Sequence, residues 1–171
     1  MINTRKQLTL FLDAAEADSI ERIRAKFNPA QFKIIRSHIT LCREHEIEAL
    51  ETVLNNLDNL KTEQFELGLD ELIRFSEGKG VLIKVKDKQN HFQKLRAAVL
   101  KNTTPEPGIH TPHITLMHPR NSSCNDSIFE EIKEIGIPEK LRITSITLIE
   151  QEIGKKWKVL KEYKLKTKSE R

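Results

Sequence analysis

One short string, written twice, constrains this chain more than anything else in it. Ser37-His38-Ile39-Thr40-Leu41 and Pro112-His113-Ile114-Thr115-Leu116 share the tetrad His-Ile-Thr-Leu, 75 residues apart. In a β-strand, side chains two positions apart project from the same face. Each tetrad, read as a strand, therefore presents His and Thr together on one side and turns Ile and Leu to the other. The polar pair faces a site and the apolar pair a core. The repeat also extends beyond the tetrads. At the same offset Leu8 falls on Ile83 and Leu10 on Val85, both in apolar runs that precede a helix-like segment. A strand-helix-strand unit used twice follows.

Periodicity fills in the remaining elements. Leu8, Leu10 and Leu12 alternate with Gln7, Thr9 and Phe11 as in a half-buried strand. A helix is expected from Asp18 or Ser19 through Ile20, Ile23 and Phe27, with Pro29 as its terminator, and Phe32 to Cys42 contains the first tetrad strand. Ile47, Leu50, Val53, Leu54 and Leu57 form a helical stripe. Phe65, Leu67 and Leu69 suggest a strand, Gly78-Lys79-Gly80 a turn, and Val81 to Val85 another strand. Phe92, Leu95, Val99 and Leu100 give a second helical stripe, after which Thr103 to Gly108 reads as a loop beside the site. Asp126 to Ile135 resembles a short helix, and Leu141 to Ile149 with Lys156 to Leu165 a closing strand pair. The class is α+β or mixed α/β, each lobe a small sheet with helices on one face. If the leucines of the first strand pack beneath the helices, Thr9, Phe11, His38 and Thr40 share the uncovered face, and His113 and Thr115 share that of the other lobe.

Composition narrows the function classes. A chain of 171 residues supports one domain built of two packed lobes, and two independent domains are not expected. With 37% hydrophobic and 32% charged residues it reads as a globular protein, and no apolar run nears the roughly 20 residues that span a bilayer. The N-terminus carries no signal-peptide pattern, so the expected location is cytoplasmic. Cys42 and Cys124 alone form neither a disulfide framework nor a metal knuckle. Of the net charge of +4, the basic excess lies in residues 155–171, with eight Lys/Arg against two Glu. Such a segment can attract polyanions, but a solvated strand edge and a frayed tail from Lys166 to Arg171 account for it equally well.

Histidine titrates near neutrality, so two of them on opposite sides of a bound group can act as general base and general acid in one turnover. A phosphodiester suits this arrangement. One His takes a proton from water or a hydroxyl, the other protonates the departing oxygen, and the Thr hydroxyls donate to nonbridging phosphate oxygens. Each proton-transfer group contributes about a hundred- to ten-thousandfold. The scheme needs no metal and no cofactor.

Two H-x-T tetrads in the two halves of a chain of this length resemble the two-histidine (2H) phosphoesterase superfamily, which includes 2′-5′ RNA ligase-like proteins and cyclic phosphodiesterases. The resemblance covers nearly the whole chain. It implies a bilobal, pseudo-twofold fold in which two small antiparallel-rich sheets form a central groove with helices on the outer faces, and metal-independent cleavage of 2′,3′-cyclic phosphates or 2′-5′ linkages, sometimes ligation. Carried onto this sequence, His38 and His113 become the acid/base pair, with His113 the base and His38 the acid, and Thr40 and Thr115 the phosphate binders. The segments after the tetrads, Cys42-Arg43-Glu44 and Met117-His118-Pro119-Arg120, match no single substrate class.

A lone histidine in a strand is usually structural, and His45, His91, His110 and His118, which lack a matched counterpart, keep that reading. A metal site at His110, His113 and His118 is not expected, since His110 and His113 would face opposite ways on a strand and no Cys or carboxylate stands at ligand spacing. Arg120 and Arg43 could clamp a phosphate. Phe11 and Tyr163 could stack on a nucleobase, although core packing explains either. The expected activity is a phosphodiesterase acting on an RNA terminus or cyclic nucleotide, by a monomer without an obligate protein partner. A 2′-5′ ligase or phosphodiesterase in the same groove, and a noncatalytic RNA- or nucleotide-binding module, are the alternatives.

Overall fold

The strand β1 (Thr4–Phe11) buries Leu8 and Leu10 completely, as its alternating pattern requires, and it anchors a sheet that grows in both directions. A computed structural model describes residues 1–103 and 107–168. After β1 come α1 (Asp18–Phe27), α2 (Pro29–Ile34), β2 (His38–Cys42), a single 3-10 turn at Glu44–Glu46 and α3 (Leu50–Asp58). The second part of the chain gives β3 (Phe65–Phe75), β4 (Gly80–Lys86), α4 (His91–Val99), β5 (His113–Met117) and α5 (Asp126–Ile135). It closes with β6 (Lys140–Ile143), β7 (Ser145–Glu152) and β8 (Lys158–Lys164).

The eight strands form one antiparallel sheet in the order β6-β3-β4-β5-β2-β1-β7-β8. It divides into two four-stranded halves, each led by a histidine strand, and the halves meet where β2 pairs with β5 through Ile39 opposite Ile114. The pseudo-twofold arrangement is visible in the order itself, since β2-β1-β7-β8 mirrors β5-β4-β3-β6 about that seam. The helices lie under one face. They also cross over: α1, which leads to β2, packs against β5, and α4, which leads to β5, packs against β2. Each half is therefore held by a helix belonging to the other. One buried cluster runs beneath both, from Leu8, Leu10, Ile20 and Ile39 to Ile83, Phe92, Leu95 and Ile114.

Three boundaries differ from expectation. Pro29 ends α1 but also opens α2, the position where its fixed φ and missing N–H are harmless, so Phe32 is helical and the strand contained in Phe32 to Cys42 spans His38–Cys42 alone. Ile47 ends the 3-10 turn, and α3 starts three residues later. Leu141 to Ile149 is not one strand. β6 pairs with β3 at one sheet edge while β7 pairs with β1 in the other half, with Thr144 as the crossing residue. In the expected loop, Thr104 to Glu106 lie outside the described residues. The expected frayed tail is tied down at its start, since Lys166 makes backbone hydrogen bonds with Thr62 and Gln64; Ser169 to Arg171 lie outside the described residues. Among the described residues no helix is long and apolar enough to cross a membrane.

Ile39 is fully enclosed at the seam. Ile39→Ala is expected to cost about 2–5 kcal/mol in denaturant unfolding, and a loss below about 1 kcal/mol would contradict the packing described.

Candidate active site

The register of β2 and β5 decides what the uncovered face presents. With Ile39 opposite Ile114, His38 falls across from Thr115 and Thr40 across from His113, so the four side chains sit at the corners of one small quadrilateral. Ile39, Leu41, Ile114 and Leu116 are buried on the helix side, while His38, Thr40, His113 and Thr115 are half-buried on the other. The rows continue outward. Phe11 pairs with His38 and Leu82 with Thr115; Thr9 pairs with Thr40 and Lys84 with His113. The surroundings of the two histidines are thus unlike, an aromatic ring beside one and a cation beside the other.

Both rings are fixed in the same way. His38 Nδ1 lies 2.8 Å from the Arg36 carbonyl and His113 Nδ1 lies 3.0 Å from the Thr111 carbonyl. A carbonyl only accepts, so Nδ1 carries the proton in each case and Nε2 of the neutral ring keeps its lone pair for a substrate. Burial foremost, with Arg24 and His113, pushes the His38 pKa down to about 4, outweighing the Arg36 carbonyl and Glu21. His38 is neutral at pH 7 when the site holds no anion. The Thr40 hydroxyl accepts a long 3.5 Å bond from Gln7 Nε2, which also donates to Thr9 Oγ1 at 2.8 Å. That leaves the Thr40 O–H free to donate. Thr9, expected on the open face, is fully buried beneath this amide.

Two buried arginines hold the approaches to the histidine strands. Arg24 of α1 donates to the Ile35 carbonyl at 2.8 Å and to Glu21 at 2.6 Å, and Glu21 accepts the Ser37 N–H next to His38. Arg96 of α4 donates to the Gly108 carbonyl ahead of His113, to the Leu41 carbonyl of β2, and through both terminal nitrogens to Glu46. Burial alone would raise the Glu46 pKa, but the bonds from Arg96 and from the Arg43 N–H hold it below the usual carboxylate range. His110 completes the seam. Its Nε2–H donates to the Thr40 carbonyl at 3.1 Å, and its ring centroid lies 5.9 Å from that of His113 and 6.0 Å from that of Phe92. Burial, with Arg43, Arg96 and His113, lowers its pKa to about 4.

His38, Thr40, His113 and Thr115 are brought together. Phe11 stands beside His38, edge to face at 6.2 Å, but one ring face is covered by the Arg36 guanidinium at 4.7 Å. Tyr163 is a correction: it pairs with Ile146 on the helix side of the sheet and is buried in the core, so it offers nothing to a bound base. Arg120 is also corrected. It is exposed in the turn beyond the end of β5, where its backbone N–H donates to His118 Nδ1, at the opposite end of that strand from His113. His110 does not face away from His113 as two positions of one strand would, because it precedes the strand. Among the described residues no group of three His, Cys, Asp or Glu side chains could hold a metal ion. His118 donates its N–H to buried Asn28, and His91 stacks on Phe65 at 5.0 Å. Burial raises the Cys42 pKa to about 12, leaving an inert thiol. Sequence reasoning finds no site role for Gln7, Arg24, Glu46 or Arg96, and His110, read there as structural, lies against His113. Arg24 and Arg96 had a signal, since each occupies the apolar phase of its helix, beside Ile20 and Ile23 or Phe92 and Leu95.

Two measurements check the electrostatics. A ¹⁵N NMR titration of His38 is expected to show the Nδ1–H tautomer with protonation only near pH 4, and an upward shift when inorganic phosphate is added, because an opposite charge favours the imidazolium. An ordinary midpoint near 6.5, indifferent to phosphate, would contradict the burial. The folded pKa of His110 is likewise depressed, from 6.5 to about 4, so its contribution to stability is fully present above about pH 6.5 and drains away as pH falls toward 4. The denaturant midpoint is expected to fall from pH 7 to pH 5, and to fall less in His110→Gln; equal falls in both proteins would refute the assignment.

A model of the 2′-5′ RNA ligase superfamily matches residues 11–155. The fold is shared with E. coli LigT crystallised with phosphate, at 19% identity and a TM-score of 0.65, covering 95% of this chain and 98% of that one. LigT complexed with 3′-AMP aligns at 18% identity and a TM-score of 0.66, over 95% and 98% of the two chains. The Thermus thermophilus protein TT0787 aligns at 18% identity and a TM-score of 0.68, over 96% and 99%. No curated protein matches the chain. With the family model spanning both His-Ile-Thr-Leu strands and everything between them, the chain belongs to the 2′-5′ RNA ligase superfamily, the 2H phosphoesterases.

Proposed function

We propose that the protein is a metal-independent phosphodiesterase that opens 2′,3′-cyclic phosphates at RNA ends or on nucleotides. The observation that carries this reading is the matched pair of histidines, each with Nδ1–H on a backbone carbonyl two residues upstream and Nε2 left for the substrate. A similar fold, E. coli LigT, has been crystallised with phosphate and with 3′-AMP, ligands of the chemistry such a site takes. In the proposed step His113 Nε2 removes a proton from water as its oxygen attacks phosphorus. The bond from phosphorus to one ribose oxygen breaks, and His38 gives its proton to that oxygen. Thr40 and Thr115 donate to the nonbridging oxygens, where charge builds in the transition state.

His38 needs a proton before it can act as the acid, and burial withholds one from the empty site. The phosphate supplies the remedy: its negative charge beside the ring raises the imidazole pKa, so substrate and proton bind together. Ligation in the same groove runs the same proton transfers with the 5′-hydroxyl of a second strand in place of water, which joins the two strands through the phosphate.

Turnover of 2′,3′-cyclic nucleotides in the presence of EDTA is expected in the wild type. His38→Ala and His113→Ala should each lower kcat about 10²- to 10⁴-fold, and Thr40→Ala or Thr115→Ala should cost less. Undiminished activity in both histidine variants would refute the mechanism. Specific nucleotide binding without any turnover would instead favour a recognition module.

A further inference from the structure

One cavity, of about 580 Å³, is lined by neither tetrad histidine. It lies at the end of β4 and the start of β3, and its wall holds Lys86, Lys88, His91, Arg142 and Lys168. Glu66 is the acid on that wall, already paired with Lys140 at 3.2 Å. Asp87 is occupied with the His91 and Phe92 N–H groups at the start of α4. Among the described residues, the side chains of Lys86, Lys88 and Arg142 form no ion pair, although the Glu16 carboxylate accepts the Arg142 backbone N–H at 3.0 Å.

The cavity is continuous with the site through β4. Lys84 stands opposite His113, and Lys86 follows on the same face, about 7 Å further along the strand. Lys86 in turn pairs with Gly68, which has no side chain to block the way, and Arg142 lies on the next strand opposite Glu66. Lys84 itself is held only by an exposed 3.9 Å contact with Glu71. On the His38 side the nearest cation, Arg36, lies over the Phe11 ring and donates to the Leu12 carbonyl, and Gln7, Thr9 and Thr147 are uncharged; on the His113 side Lys84 and Lys86 succeed one another along β4. Substrates that end at the histidine pair therefore meet a run of cations along β4.

Resting on the reading above, in which an RNA end is the substrate, we propose that the strand leaves the site along β4, its terminal cyclic phosphate between His38 and His113. The phosphates 5′ of the terminal nucleotide then follow Lys84 and Lys86 into the cavity formed by Lys88, Arg142 and Lys168. Alternate lysines on an extended strand offer a cation at intervals suited to an extended phosphate backbone, the arrangement by which non-sequence-specific grooves track single strands.

The test has a binding arm and a turnover arm. In the binding arm, the full-length H38A/H113A protein is titrated with a labelled single-stranded RNA about 12 nucleotides long, within the usual span of such grooves, over a range of salt. Adding K86A/K88A/R142A is expected to weaken binding and to flatten the plot of log K against log salt by about 2, at about 0.7 per phosphate neutralised. An unchanged slope and affinity would overturn the proposal, as would equally tight binding of duplex RNA. In the turnover arm, the ratio of kcat/KM for an oligonucleotide 2′,3′-cyclic phosphate to that for a mononucleotide is expected to exceed one in the wild type and to fall toward one in the triple variant. A ratio of one in the wild type would overturn the cationic path while leaving the proposed activity in place. Absence of turnover on both substrates, with the salt slope still changed by the variant, would refute the activity and support the path.

Discussion

Everything in the site depends on one strand pairing. β2 and β5 meet through Ile39 opposite Ile114, and this contact both joins the two halves of the sheet and sets the histidines diagonally across the seam. Side chains on a strand alternate strictly, so a slip of one residue would bury His38 or His113 and expose an isoleucine. The apolar members of each tetrad enforce the register. Ile39, Leu41, Ile114 and Leu116 are all enclosed, and no other phase of either strand buries four such side chains. The residues that make the core and the residues that make the site are thus alternate letters of the same word.

So short a pairing needs support, and the crossed helices provide it. α1 and α4 each lie under the other half's histidine strand, and each sends a buried arginine to a carbonyl in the segment that enters its own. These segments leave helix or loop geometry for a strand and have carbonyls that no ladder bond reaches. An arginine beneath the sheet satisfies them over several ångströms, which an aliphatic side chain could not. The arrangement has a cost. Arg24 Nε is buried without a hydrogen-bond partner among the described residues, an omission typically worth about 1–3 kcal/mol. At Arg96 both terminal nitrogens are bonded, and with Glu46 and His110 the side chain ties β2, α4 and the start of β5 into one polar knot behind the site. The geometry of the groove therefore rests on charged groups within an otherwise apolar layer.

Much of this was legible in the residues. The doubled tetrad announced the two histidine strands, their shared face and the pseudo-symmetry, because period-2 alternation and a repeated word are local signals. The long helical stripes at Val53 and Leu57 and at Phe92, Leu95 and Val99 were legible for the same reason. What escaped was non-local. Leu141 and Ile143 are buried in one phase and Ile146 and Leu148 in the next, and the slip at Thr144 was the mark of a chain leaving one half for the other. Its meaning depended on pairing partners that alternation does not encode. Tyr163 on a closing strand was open to base stacking or to core packing, and its parity with Ile146 turns it into the core. Arg24 and Arg96 were hidden by their type, since a charged residue in an amphipathic helix is assigned to solvent by default. His110 could be placed against His113 only once the strand's first residue was known.

The most direct test of the account is a crystal structure of the protein with a nucleoside vanadate, which imitates the five-coordinate phosphorus of the reaction. The account predicts vanadium over the β2–β5 seam, with its apical oxygens within about 3 Å of His38 Nε2 and His113 Nε2, hydrogen-bond reach for proton transfer, and Thr40 and Thr115 on its equatorial oxygens. Vanadate bound at one histidine alone, or bound away from the seam, would contradict it.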